Sequence, residues 1–210
     1  MAELSIDVTG VTVEPYAAVP TLSFATRIRE ATGATVHALA LRAQIRIEPQ
    51  RRRYDDGERD RLVELFGTAQ QWGESLRPFL WAHVETMAGG FRDETVIDLP
   101  MVCTYDFEVA GARYLHALGD GHVPLLFLFS GTVFLKGATG FAAELVPWNL
   151  EARFALPVRT WHELIDRYFP NSGWLRLSDD TIEDLRRFRA ARALPTWDQA
   201  IETLLKEVDG

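Results

Sequence analysis

Apolar and polar residues alternate with period two through the first three-quarters of the chain, and at Pro157 the period becomes helical. Strands followed by helices predict an α+β fold: a mainly antiparallel β-sandwich with a helical insertion and C-terminal helices. The lack of strand–helix–strand rhythm argues against a Rossmann or TIM-barrel scaffold. Leu4, Ile6 and Val8 alternate with polar neighbours, as do Leu22, Phe24, Thr26 and Ile28. After the turn-like Ala31-Thr32-Gly33, residues Leu39, Leu41, Ala43, Ile45 and Ile47 share one face of a strand that Pro49 ends. The short connection predicts that these last two strands pair with each other.

Asp55-Asp56-Gly57 opens a predicted helix carrying Leu62, Val63, Leu65 and Phe66, and Gly67 stops it. A strand is expected after Pro78, with Leu80, Ala82 and Val84 in phase. Thr95–Val109 reads as a strand whose inner face carries Ile97, Leu99, Met101, Cys103, Tyr105, Phe107 and Val109. A short helix through Tyr114, Leu115 and Leu118 precedes the Gly119-Asp120-Gly121 turn. Leu125–Leu135 is apolar on both faces, the pattern of a central strand. Gly137-Ala138-Thr139-Gly140 then makes a hairpin with Phe141–Val146, and a last strand lies at Leu150–Leu156. Thr160-Trp161-His162-Glu163 has the capping-box form, Pro170-Asn171-Ser172-Gly173 ends that helix, and two more helices begin near Asp180 and Thr196. Residues 1–210 therefore read as a single domain. Positions 1–156 are mainly β with a helical insertion near 55–78, and 157–210 form a helical C-terminal extension.

Composition narrows the function. With 22 basic against 30 acidic side chains the formal charge is −8, which opposes binding to nucleic acid or an anionic membrane. A single cysteine, Cys103, excludes a disulfide framework and a multi-thiolate metal site within one chain. The N-terminal residues lack a signal-like apolar core, and the most apolar stretch, Val123–Leu135, is too short for a membrane helix. The expectation is a cytoplasmic protein with no membrane insertion. Arginine outnumbers lysine 20 to 2, a bias that points to a GC-rich bacterial genome.

No residue pattern assembles a catalytic site. His116 and His122 flank Asp120 and are weak candidates for a metal site; otherwise no metal or cofactor is expected. Cys103 sits at an inward strand position, where a lone cysteine is a small core residue. Asp98, Asp106 and Glu108 form one outer row, the mark of a solvated face. Neither Gly119-x-Gly121 nor Gly137-x-x-Gly140 has the context of a phosphate loop, and Gly131 inside a strand marks close packing or a bulge. The acids around Arg51-Arg52-Arg53 cancel its field, leaving a solvated loop or a docking patch. Six tryptophans gather at element ends. Trp148, Trp161, Trp174 and Trp197, with Phe127 and Phe129, are the candidate ligand or partner surface, the alternative for the tryptophans being the edge of the core.

The run His122-Val123-Pro124-Leu125-Leu126-Phe127-Leu128-Phe129-Ser130-Gly131-Thr132-Val133-Phe134 is distinctive. So are Cys103-Thr104-Tyr105-Asp106, Val146-Pro147-Trp148, Leu156-Pro157-Val158-x-x-Trp161 and Tyr168-Phe169-Pro170. From about residue 20 to 205 the chain resembles a family of uncharacterised bacterial proteins from GC-rich genomes, often encoded near nickel–iron hydrogenase genes. The resemblance implies an accessory role in assembling or holding a larger complex, and carries no catalytic residue.

The leading expectation is a non-catalytic interaction or accessory protein with a protein partner, docking by a strand edge or a tryptophan-bearing helical end. A homo-oligomer is compatible with it. One alternative is a holdase-like binder of hydrophobic ligands or unfolded chains, with a groove lined by Phe127, Phe129, Phe134, Trp148 and Trp161. The other is an enzyme with a site around His116, Asp120 and His122.

Overall fold

The computed structural model describes residues 2–104, 106, 109–137, 140–173 and 175–208. They separate into two compact units, Met1–Trp174 and Leu175–Gly210. The first unit is built on two antiparallel sheets, and with its helices the fold is α+β.

The three-stranded sheet runs β1 (Leu4–Val13), β2 (Thr21–Glu30), β6 (Glu94–Val102). The six-stranded sheet runs β4 (Phe79–Ala88), β3 (Thr35–Ile47), β7 (His122–Gly137), β8 (Gly140–Leu145); β5 (Phe91–Arg92) adds to β3 and β9 (Glu151–Pro157) to β7. Inward residues of both sheets merge into one core. Phe24 of β2 meets Phe127 of β7 and Phe154 of β9 edge-on, at centroid distances of 5.2 and 5.9 Å. Helix α1 (Asp56–Phe66) starts at Asp55, whose carboxylate accepts from the Glu58 N–H, and stops at Gly67, where φ is +75°. A single turn, α2 (Trp72–Ser75), and helix α3 (Ala110–His116) complete the insertions, and α4 (Val158–Tyr168) buries Val158, Trp161, Leu164 and Ile165.

Three expectations change. The strands around Leu22–Ile28 and Leu39–Ile47 do not pair: β2 lies between β1 and β6, β3 between β4 and β7. The link between them instead crosses from one sheet to the other, held by the buried Glu30 carboxylate, which accepts from the Thr32 hydroxyl and from the N–H groups of Glu3, Thr32 and Ala34. The strand expected to reach Val109 ends at Val102; Tyr105, Phe107 and Glu108 lie outside the described residues. Helix α4 begins at Val158 rather than after Thr160, because β9 runs straight into it through Pro157, whose fixed φ suits a helix start. The Val158 N–H that this start leaves without a helical partner donates to Gly121 O at 2.9 Å.

β7 is central, as expected, and Gly131 explains how it packs. At φ +149°, a Cβ there would lie 2.0 Å from Ala40 O on β3. Only glycine permits that approach. The residues at 138 and 139, the expected hairpin tip, lie outside the described residues, and Gly137 pairs with Gly140.

The second unit holds α5 (Asp179–Ala191) and α6 (Trp197–Val208). The Ser178 hydroxyl accepts from the Thr181 N–H, and the Thr196 hydroxyl from the Gln199 N–H. The Arg189 guanidinium stacks over Trp197 at 4.1 Å, and Arg192 pairs with Glu207 at 2.7 Å. Among the described residues no helix is long and apolar enough to cross a membrane.

Candidate functional site

Cross-strand register places the outward face of the six-stranded sheet in rows. One row runs Met87, Ala40, Thr132, Leu145; the next runs Glu85, Arg42, Ser130. Ala40, Ser130, Gly131 and Thr132 are small, so they leave a shallow groove of about 590 Å³ between taller neighbours. Met87 and Leu145 stand on its two sides, 64% and 81% exposed. Arg42 and Glu85, which line another side, neutralise each other in an ion pair at 2.5 Å. Phe141 (66% exposed) continues the apolar surface along β8, where its ring lies 4.3 Å from that of His37. An antiparallel sheet with one solvated face ordinarily turns polar residues outward. Here the groove is lined by apolar contact area and small side chains, with Arg42 and Glu85 paired to each other.

The structure sorts the residues singled out from sequence by burial. Phe127 and Phe129 are core residues, and so is Trp161, at 1% exposure against the edge of Trp81. Their inward phase on β7 and α4 takes them off any partner surface and fills the groove that Phe127, Phe129 and Trp161 were expected to line. Trp148 is the opposite case: it follows Pro147 in the turn between β8 and β9 and is 93% exposed. Trp197 is 40% exposed on the second unit, and Trp174 lies outside the described residues. Cys103 is buried, and burial pushes its thiol up to about 12, far from a thiolate nucleophile. Arg52 is not solvated with Arg51 and Arg53: it is buried in an ion pair with Glu58 at 2.5 Å. The Met87–Leu145 pair went unmarked in the sequence. Its one signal was β8 itself, Gly140-Phe141-Ala142-Ala143-Glu144-Leu145, a strand without a polar face.

A protein-family profile matches residues 1–210. The chain belongs to that family, a family of unknown function (DUF6084). Comparison with curated proteins finds no match for this DUF6084 chain. Among solved structures, the CARDB domain of the PF1109 protein from Pyrococcus furiosus is 12% identical, covering 74% of this chain and 92% of that one at a TM-score of 0.29. A β-glucosidase from Kluyveromyces marxianus is 7% identical over 74% of this chain and 15% of its own, with a TM-score of 0.28. Likeness at this level assigns no function.

In the DUF6084 chain, His116 meets neither Asp120 nor His122 in a metal-holding group; among the described residues no three His, Cys, Asp or Glu side chains form one. Arg52 reaches that turn through its backbone, donating to Asp120 O at 2.6 Å and His122 O at 2.8 Å. His116 instead shares a cleft of about 410 Å³ with His162, Arg61 and Asp166, floored by Trp161 and Leu118. Burial, then the charges of His162 and Arg61, hold the His116 imidazole below its ordinary value of 6.5.

Proposed function

We propose that this chain is a non-catalytic accessory protein that docks onto a protein partner with the outward face of its six-stranded sheet. The supporting observation is the pair Met87 and Leu145, large apolar side chains held in water on either side of a small-residue floor. An apolar side chain of the partner seated between them gains contact area on both sides. Phe141 and Trp148 widen the same surface along β8 and the turn after it. The resemblance seen in the sequence makes a larger complex such as a hydrogenase the expected setting, with the protein acting in the cytoplasm during assembly or to hold the complex together.

Affinity capture from the native host at low salt, with Met87→Glu and Leu145→Glu run beside the wild type, tests this reading. A stoichiometric protein retained by the wild type and lost from both folded variants supports it. A wild type that retains nothing, or variants that retain the same protein, contradicts it.

A further inference from the structure

Four strands end the sheet paths, and three of them are guarded. β1 carries Asp7 and a bulge between Val8 and Gly10, and lies against β9. β6 carries Asp98 and Pro100, and β4 carries Glu85 and a bulge opposite Ile45/Arg46; these two strands lie against each other. Charges, prolines, bulges and cover are the ordinary means of keeping a strand edge from pairing. β8 has no proline and no bulge. Its one charged residue, Glu144, accepts the Ala2 N–H at 2.6 Å, and among the described residues its backbone pairs only with β7.

The ladder fixes which backbone groups of β8 face outward. Val146 N–H donates to Gly131 O at 3.0 Å, so the next pair, Thr132 and Leu145, is a non-hydrogen-bonded one. Alternation makes Phe134–Ala143 and Lys136–Phe141 non-hydrogen-bonded as well. The N–H and C=O groups of Phe141, Ala143 and Leu145 therefore point away from β7, towards the free edge.

We infer that β8 pairs antiparallel with β8 of a second copy of this chain, about a two-fold axis at Ala143. In that register Ala143 faces Ala143 of the partner subunit, and Phe141 faces Leu145 of the partner subunit. Each pair exchanges both N–H···O bonds, and all the outward groups of Phe141, Ala143 and Leu145 are used. The register is self-complementary in side chains too. Phe141 meets a leucine on the outward face, a favourable cross-strand pair. Glu144 meets Ala142 of the partner subunit and not another carboxylate. Shifting the axis to Ala142 or Glu144 leaves an outward residue unpaired, and the latter sets two glutamates face to face. This isologous contact joins the two six-stranded sheets edge to edge and leaves the docking face of each copy open. It is independent of whether that face binds a partner.

Sedimentation velocity of the purified full chain tests it, with Ala143→Pro and Ala143→Lys alongside. The Ala143 N–H faces outward, so proline removes a bond of the dimer and none of the β7–β8 ladder. Lysine puts two ammonium groups opposite each other at the axis. The wild type is expected at twice 23.7 kDa and both variants at 23.7 kDa, with unchanged far-UV circular dichroism. A wild type that stays monomeric as concentration rises overturns the inference, and so do folded variants that remain dimeric.

Discussion

The hydroxyl groups of Tyr54 and Tyr114 lie 2.7 Å apart in the core, and Tyr54 also donates to Pro49 O at 2.8 Å. A hydroxyl has one proton, so Tyr114 must be the donor to Tyr54. The pair ties the turn after β3 to α3, beside the rings of Phe66 and Phe79. Burial raises both phenols, Tyr54 to about 12, so neither ionises near neutral pH.

That donor order makes the two phenylalanine variants unequal. Tyr114→Phe removes a donor and leaves Tyr54 bonded to Pro49, at a cost of about 1 kcal/mol. Tyr54→Phe strands the Tyr114 hydroxyl in the core and removes one of the two donors on Pro49 O, which keeps the Arg52 N–H at 3.2 Å, costing about 2–3 kcal/mol. Urea unfolding of both variants checks the order, and equal losses would refute the assignment.

Arg52 and Glu58 behave as a unit. Glu58 also accepts the Gly119 N–H at 3.0 Å, so the pair fixes the turn between α3 and β7 to the start of α1. Glu58→Ala leaves a buried guanidinium without its counter-ion, an expected loss of about 3–5 kcal/mol. Replacing both residues by Arg52→Met and Glu58→Leu is expected to cost less than the single change, and a double-mutant cycle measures the difference.

Glu30 gives the stability a pH dependence. Burial works against its charged form, but the bonds from Thr32, Glu3 and Ala34 outweigh burial and hold its carboxyl below the ordinary 4.5. A carboxylate lowered on folding stabilises fully above its unfolded value, and the contribution fades as pH falls through the folded one. Thermal melts of the wild type should therefore fall below about pH 4.5 more steeply than those of Glu30→Gln. Parallel curves would show that the link between β2 and β3 does not depend on this charge.

Two tryptophans separate stability from binding. Trp161→Ala empties a core position and is expected to cost about 3–5 kcal/mol. Trp148→Ala touches little protein and should change stability by less than about 0.5 kcal/mol, while weakening capture of the partner. Melting temperature and partner retention, measured on the same preparations, distinguish the two.

The strands were legible because each hides one face: the phase of Leu22, Phe24 and Ile28 or of Leu39 to Ile47 survives unchanged in the structure. What alternation does not encode is the neighbour, so β2 and β3 read as a hairpin although Glu30 steers the chain into the other sheet. Helix α1 was legible from Asp55 and Gly67, whose roles are local. The start of α4 was not, because its first N–H is satisfied by Gly121, far away in sequence. The same limit applies to the site. Phe127 and Phe129 alternate with Leu126 and Leu128 in a run that is apolar on both faces, so phase alone did not tell core from surface, and the alignment of Met87 with Leu145 across the sheet needs three strand registers at once. His116 and His162, on α3 and α4, likewise come to one cleft from segments far apart in sequence.

Hydrogen–deuterium exchange of the chain, alone and with the captured partner, is the most direct test of the docking account. Slower exchange confined to the turn carrying Trp148 and to the β4 residues around Met87 is the predicted result. Protection of the cleft between His116 and His162, with that turn and β4 unchanged, would contradict it.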